Sequence, residues 1–173
     1  MEYKFRNLKA TEIDCRVSQI NEKGLSLLLY KDARVDMDIL DETVGPMNWQ
    51  RTHTRDNANC VIEIWDEDKK QWIGKEDTGT ESFTEKEKGL ASDSFKRAGF
   101  NWGIGRELYT APFIYIPILD AKNKANFVLE DKNGKKTTKT KFYVEAIEIT
   151  NKEITGLAIK NNKGKRVFVY KKG

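Results

Sequence analysis

The most distinctive chemical grouping in the chain is a pair of adjacent cations, Lys96 and Arg97, set among Lys86, Gly89 and Asp93. Projected on a helix at about 100° per residue, these five share one side, opposite a stripe of Ala91, Phe95, Ala98 and Trp102. A planar guanidinium fork beside a mobile ammonium, with a small residue a turn or two earlier, suits a phosphodiester backbone gripped without reading bases. The same spacing supports a plainer reading. Asp93 and Arg97 stand at i and i+4, the separation of a surface ion pair, which leaves Lys96 to solvent.

Other reactive residues lead less far. Asp36, Asp38, Asp41 and Glu42 resemble a metal-binding cluster in composition. Two-metal nuclease chemistry, however, needs converging carboxylates, and on a helix Asp36 points about 160° away from Asp38. His53 is the lone histidine, in an alternating segment where a strand surface position is the expectation. Cys15 and Cys60 lack Cys-x-x-Cys spacing and read as buried, reduced thiols rather than zinc ligands. No phosphate-binding G-x-x-x-x-G-K-[ST] loop occurs. Gly103-Ile104-Gly105 follows a predicted helix rather than a strand, so it is no dinucleotide fingerprint. No cofactor, metal or enzymatic activity is expected.

The elements that would carry these residues can be read from periodicity. Thr11 to Ile20 alternates as a strand, Asn21 to Gly24 is a turn, and Leu25 to Tyr30 reads as a more buried strand. Asp32 caps a helix over 33–44 with Met37, Leu40 and Val44 as its apolar stripe, and Gly45-Pro46 ends it. Trp49–Arg55, Asn59–Trp65 and Gln71–Asp77 form an antiparallel meander. A helix follows from Thr84 to about Asn101, its start marked by the Thr84/Glu87 capping-box spacing. Phe113–Ile118, Lys141–Thr150, Glu153–Ile159 and Arg166–Tyr170 are strand-like, with turns at Asn133-Gly134 and Lys163-Gly164. The lysine-rich stretch from Ala121 to Lys141 reads as either a linker or a basic hairpin.

Charge is unevenly spread. Residues 122–173 hold 14 Lys/Arg against 5 Asp/Glu (+9), and residues 1–121 hold 17 against 22 (−5), giving the chain's +4. A basic segment on a mildly acidic body suits a polyanion, and equally a solvated lysine-rich surface. No apolar run is long enough for a membrane span or a signal peptide, so a cytoplasmic location is expected.

Two blocks of the sequence carry a resemblance. Asp77-Thr78-Gly79-Thr80-Glu81-Ser82 precedes Lys88-Gly89-Leu90-Ala91-Ser92-Asp93-Ser94-Phe95-Lys96-Arg97-Ala98, which is followed by Asn101-Trp102-Gly103-Ile104-Gly105. Upstream stand Arg34-Val35 and Gly45-Pro46-Met47-Asn48-Trp49. In order and spacing, residues 25–110 resemble the Rad-fifty-two-like single-strand annealing family, most closely its phage (Sak-type) members. The resemblance implies an α+β fold, with an antiparallel β-meander packed on a central helix and a short helix before it. It implies an annealing core, placed over 1–120; the basic, strand-like character of 121–173 reads as a β-rich extension that departs from the disordered tail of the family's larger members. That extension would supply a second DNA-binding surface or lengthen the subunit sheet.

The implied function is ATP-independent binding of single-stranded DNA and annealing of complementary strands in phage recombination and repair. Subunits would assemble as a ring or helical filament, with a phage exonuclease or a host single-stranded DNA-binding protein as partner. Lys96, Arg97 and Arg34 match the family's groove cations; Lys86 and Lys88, near the start of the same helix, complete the candidate DNA-binding set. For Arg34 the spacing also offers Asp38 and Asp41 as neutralising neighbours. Phe100 projects nearest the basic face as a base-stacking candidate, while Trp102 reads as core. Rival functions are a single-strand protector that does not anneal, and a ring scaffold whose basic surface meets protein.

Overall fold

A computed structural model describes residues 2–80 and 86–173, side chains of 86–88 excepted. In chain order the elements are β1 (Ile13–Ile20), β2 (Gly24–Lys31), α1 (Ala33–Val44), β3 (Trp49–Thr54), β4 (Asn59–Asp66), β5 (Gln71–Thr78) and α2 (Lys86–Asn101). Then follow β6 (Ile114–Pro117), β7 (Glu130–Lys132), β8 (Lys135–Thr137), β9 (Phe142–Thr150), β10 (Glu153–Asn161) and β11 (Arg166–Lys171). The fold is mixed α+β and rich in antiparallel strands, as expected. The expected capping box at Thr84 and Glu87 lies outside the described residues.

Two compact units divide the chain. The first is residues 1–7 with 31–106, and the second is residues 8–30 with 107–173. The division therefore falls at 7/8, 30/31 and 106/107, where the sequence suggested 120/121. The reason is strand pairing: β1 pairs with β9, and β2 with β6.

The first unit holds both helices and the β3-β4-β5 meander. Asp32 caps α1, its side chain accepting from the Arg34 N–H at 2.8 Å, and the helix stops at Gly45 with φ +90°. The meander pairs in a continuous register, Trp49 with Ile64 and Asn59 with Thr78. Alternation along β4 buries Cys60, Ile62 and Ile64 on one face, against which α2 packs Leu90, Phe95 and Ala98. Each such fully buried Ile or Phe contributes about 1.5–3 kcal/mol.

The buried face of α2 is rotated slightly from the expected stripe. Ser94 is fully buried, while Ala91 and Trp102 are only half so. Ser94 can be buried because its hydroxyl donates to the Asn57 carbonyl at 2.9 Å. Trp102 packs as structure, its indole N–H bonded to the Ile62 carbonyl at 2.9 Å. Trp49 stacks on Phe95 with centroids 6.1 Å apart, and Trp65 meets Trp72 edge-on at 5.5 Å.

The second unit is a six-stranded sheet in the order β11-β10-β9-β1-β2-β6. Its edge strands β11 and β6 return beside one another, so the sheet curls into a nearly closed barrel. Leu25, Leu27, Ile116, Phe142, Leu157 and Ile159 are among the residues that fill its interior. The lysine-rich stretch is resolved in favour of a hairpin, β7 and β8 closing on the Asn133-Gly134 turn. Buried Glu107 accepts the Leu8 N–H at 2.7 Å and lies 3.8 Å from the Lys152 ammonium. Among the described residues, no helix is long and apolar enough to cross a membrane.

Candidate nucleic-acid interface

The cations of α2 are held from below by a helix pressed tightly to the meander, and from the side by acid partners. The Nε of Arg97 donates to Asp93 Oδ2 at 2.8 Å, the i, i+4 ion pair that the spacing allowed. The same oxygen accepts the backbone N–H of Thr80 at 2.7 Å. Burial would raise the Asp93 carboxyl, but the Arg97 and Thr80 hydrogen bonds and the charges of Arg97 and Lys96 outweigh it and hold it below the usual range. The pair thus does more than neutralise a surface charge. It fastens the chain leaving β5 onto the helix.

Gly79 makes that closeness possible. A Cβ built there would lie 2.6 Å from the Ser94 nitrogen and 3.0 Å from its Cα. Both are helix backbone atoms, which cannot swing aside. A Gly79→Ala variant is therefore expected to lose about 1–3 kcal/mol of stability, read as a lowered thermal midpoint by circular dichroism. A variant melting with the parent would mean that the chain after β5 can draw back from the helix at no cost.

Arg34 sits one residue into α1 with its side chain 85% exposed. Its Nε reaches Asp32 Oδ1 at 3.3 Å, so the neighbour that tempers it is the capping aspartate and not Asp38 or Asp41. Asp41 instead accepts the Trp49 indole N–H at 2.7 Å. The Asp32 carboxyl is held below its ordinary range, first by the Arg34 backbone N–H, against a smaller effect of burial, and further by the Arg34 side chain and the charges of Arg34 and Lys96. Asp32 therefore feels cations from both helices, as Asp93 feels both Lys96 and Arg97. Lys96 links the two acids, and Arg34, Lys96 and Arg97 form one basic patch.

Beneath the patch lies a residue that the sequence did not single out. Lys31 is 1% exposed and its ammonium bonds Asp36, itself 0% exposed. The ammonium also donates to the Ile104 carbonyl at 3.0 Å and to the Lys96 carbonyl at 3.3 Å, and lies 4.0 Å from the centre of the Phe100 ring. Phe100 is thereby engaged as a cation–π partner rather than set out as a base-stacking surface. Burial pushes the Asp36 carboxyl up to about 6 against the opposing pull of the Lys31 charge and hydrogen bond and of Lys96. Gly99 leaves room for the pair, since a Cβ there would meet Asp36 Oδ1 at 2.5 Å.

The end of α2 is finished by two further cations. Arg106 donates to the Phe100 carbonyl at 2.8 and 3.0 Å and to the Asn101 carbonyl at 3.0 Å, and Lys75 reaches the Asn101 carbonyl at 3.2 Å. Positive side chains there complement the helix dipole and satisfy carbonyls that have no intrahelical partner. The Gly103-Ile104-Gly105 loop is thus a helix stop.

Lys86 and Lys88 fall in the first turn of α2 by backbone, with side chains outside those described. The α1 carboxylates go separate ways: Asp36 inward to Lys31, Asp41 to Trp49, and Glu42 to Arg6 at 2.7 Å. His53 Nδ1 lies 3.3 Å from the Ser94 hydroxyl. Cys60 is buried and Cys15 half-buried; both are free, burial being the first cause that pushes them up to about 11 and about 12. No family model matches the chain, and comparisons with curated proteins and with solved structures find no match.

Proposed function

We propose that this protein binds single-stranded DNA through the Arg34–Lys96–Arg97 patch and anneals complementary strands without a nucleotide cofactor. The observation that carries the reading is the pairing of Arg34 with Asp32 and of Arg97 with Asp93 on two helices, with Lys96 beside Arg97 and its carbonyl held by buried Lys31. Acids among the cations moderate the attraction. Such a surface holds phosphates strongly enough to order a strand, yet releases it once a duplex has formed. Grip on the backbone is indifferent to sequence and leaves base edges outward to test a second strand. Pairing itself supplies the free energy, so no phosphate-loop chemistry is required. The blocks of sequence similar to the Rad-fifty-two-like family support the same reading. Side-by-side assembly of subunits would join such patches into a track.

The test is strand pairing followed by fluorescence, with two complementary labelled oligonucleotides and neither ATP nor metal present. The expected result is pairing faster than in the protein's absence, with affinity for the single strand falling linearly as salt rises on logarithmic axes. Tight binding with slowed pairing would instead identify a single-strand protector. Salt-sensitive association that ignores the nucleic acid added would point to a protein-binding scaffold.

A further inference from the structure

The second unit carries a surface that the proposed annealing site does not use. Along β1 and β2, residues alternate between the barrel interior and its outer face, so Asp14, Arg16, Leu28 and Tyr30 point outward. Tyr143 of β9 stands directly across from Asp14 in the register and is 49% exposed; Tyr30 is 40% exposed. Asp14, Arg16, Tyr30 and Tyr143, together with Lys141, line a groove of about 450 Å³ where β9, β1 and β2 lie side by side.

Two properties of the groove point to its occupant. Among the described residues, neither Arg16 nor Lys141 is held in a side-chain ion pair. By contrast, nearby cations of this unit are spent on acids, Lys136 on Asp131 at 2.6 Å and Arg166 on Glu145 at 2.7 Å. The groove therefore sets two uncompensated cations, Arg16 and Lys141, against one carboxylate, Asp14. Beside them are two large, half-exposed aromatic rings on rigid strands, where solvent contact is costly and a flat π-face would be welcome. Cations for phosphates with aromatic faces for bases are the combination that holds a single strand without reading its sequence.

We infer that the Arg16–Tyr30–Lys141–Tyr143 groove of the second unit is a further contact for single-stranded nucleic acid, with bases on the tyrosine rings and phosphates on Arg16 and Lys141. This site stands on the second unit alone and goes beyond the annealing patch. An acidic peptide would use the two cations but would gain little from tyrosine faces. That difference makes the aromatic variants the decisive ones.

The test uses the full-length protein and a labelled oligothymidine, which has no structure of its own to melt. Tyr143→Ala is expected to weaken binding about 5-fold or more, whereas Tyr143→Phe, which keeps the ring, binds as the parent does. Arg16→Ala/Lys141→Ala is expected to reduce the salt dependence of binding by about 0.7 for each phosphate that is no longer neutralised. Ultraviolet crosslinking should place the oligonucleotide on Tyr143 or Tyr30. Parent-like affinity and salt dependence in both the Tyr143→Ala and Arg16→Ala/Lys141→Ala proteins would overturn the inference. Loss of binding in a Lys96→Ala/Arg97→Ala protein in the same series would then leave the annealing patch standing. A parent protein without affinity for the oligonucleotide overturns both.

Discussion

A Lys96→Ala/Arg97→Ala protein is expected to bind single-stranded DNA about 100-fold more weakly than the parent and to lose its acceleration of strand pairing. Each charge-assisted hydrogen bond to a phosphate contributes about 1.5 kcal/mol or more, and 1.4 kcal/mol is a factor of 10 in affinity. Removing two such bonds therefore accounts for the whole effect. The salt dependence should fall in step, by about 0.7 for each phosphate released.

Folding is expected to survive this change. The Arg97–Asp93 pair is partly exposed, and an i, i+4 pair of this kind contributes only about 0.3–0.5 kcal/mol. Asp93 keeps the Thr80 N–H when Arg97 is gone. The measurements are anisotropy titration and stopped-flow pairing, with a thermal melt as control. A well-folded variant that binds and anneals like the parent would remove the site from α2.

The second large effect concerns stability. Lys31→Met is expected to cost about 3–5 kcal/mol near neutral pH, because Asp36 is left buried without its cation and must either take up a proton or carry an uncompensated charge. The double variant Lys31→Met/Asp36→Leu should recover most of that loss, since a well-packed apolar pair replaces a buried ionic one at little net cost. Denaturant unfolding of the two proteins checks the claim, and a single variant as stable as the parent would contradict it.

The pH dependence has a definite sign. Asp36 is pushed up to about 6 in the folded protein, above its unfolded value. Between roughly pH 4 and 6 the folded chain holds a proton that the unfolded chain has released. The contribution of this carboxyl is therefore fully present below that window and is lost as pH rises through about 6. Asp36→Asn, which cannot titrate, should flatten that part of the stability profile. An unchanged slope would mean that Asp36 titrates normally.

Much of the molecule was readable because its local signals agree with its tertiary structure. Alternation in β4 runs unbroken for eight residues, turn residues bracket the strands, and Asp32 announces α1 by the same hydrogen bond that caps it. The Lys96-Arg97 face was legible because a helix places neighbours by a simple period. What was missed depends on partners distant in sequence or beyond the helical rule. Arg34 found Asp32, two residues back and outside the helix, where an i, i+4 argument does not look. Lys31 meets Lys96 and Ile104 carbonyls 65 and 73 residues away, so nothing local distinguishes it from a solvated strand end. One signal was available: Gly99 inside a well-formed helix asks what approaches it, and the answer is the Lys31–Asp36 pair. The strand order of the barrel was equally invisible, since it joins β1 to β9 across more than a hundred residues of chain.

That interleaving bears on how the protein is made. Synthesis delivers the first unit complete once residue 106 has emerged, its partners all lying in one short stretch plus the leading seven residues. The second begins earlier and finishes last. By then β1 and β2 have left the ribosome as an orphan hairpin whose outer partners, β6 and β9, do not yet exist. For that interval a Leu-rich strand, Leu25 to Leu29, has one edge and one apolar face uncovered. The risk of mispairing between nascent chains is thus concentrated in β1 and β2, which are translated well before their partners, and slowing elongation beyond residue 106 prolongs it.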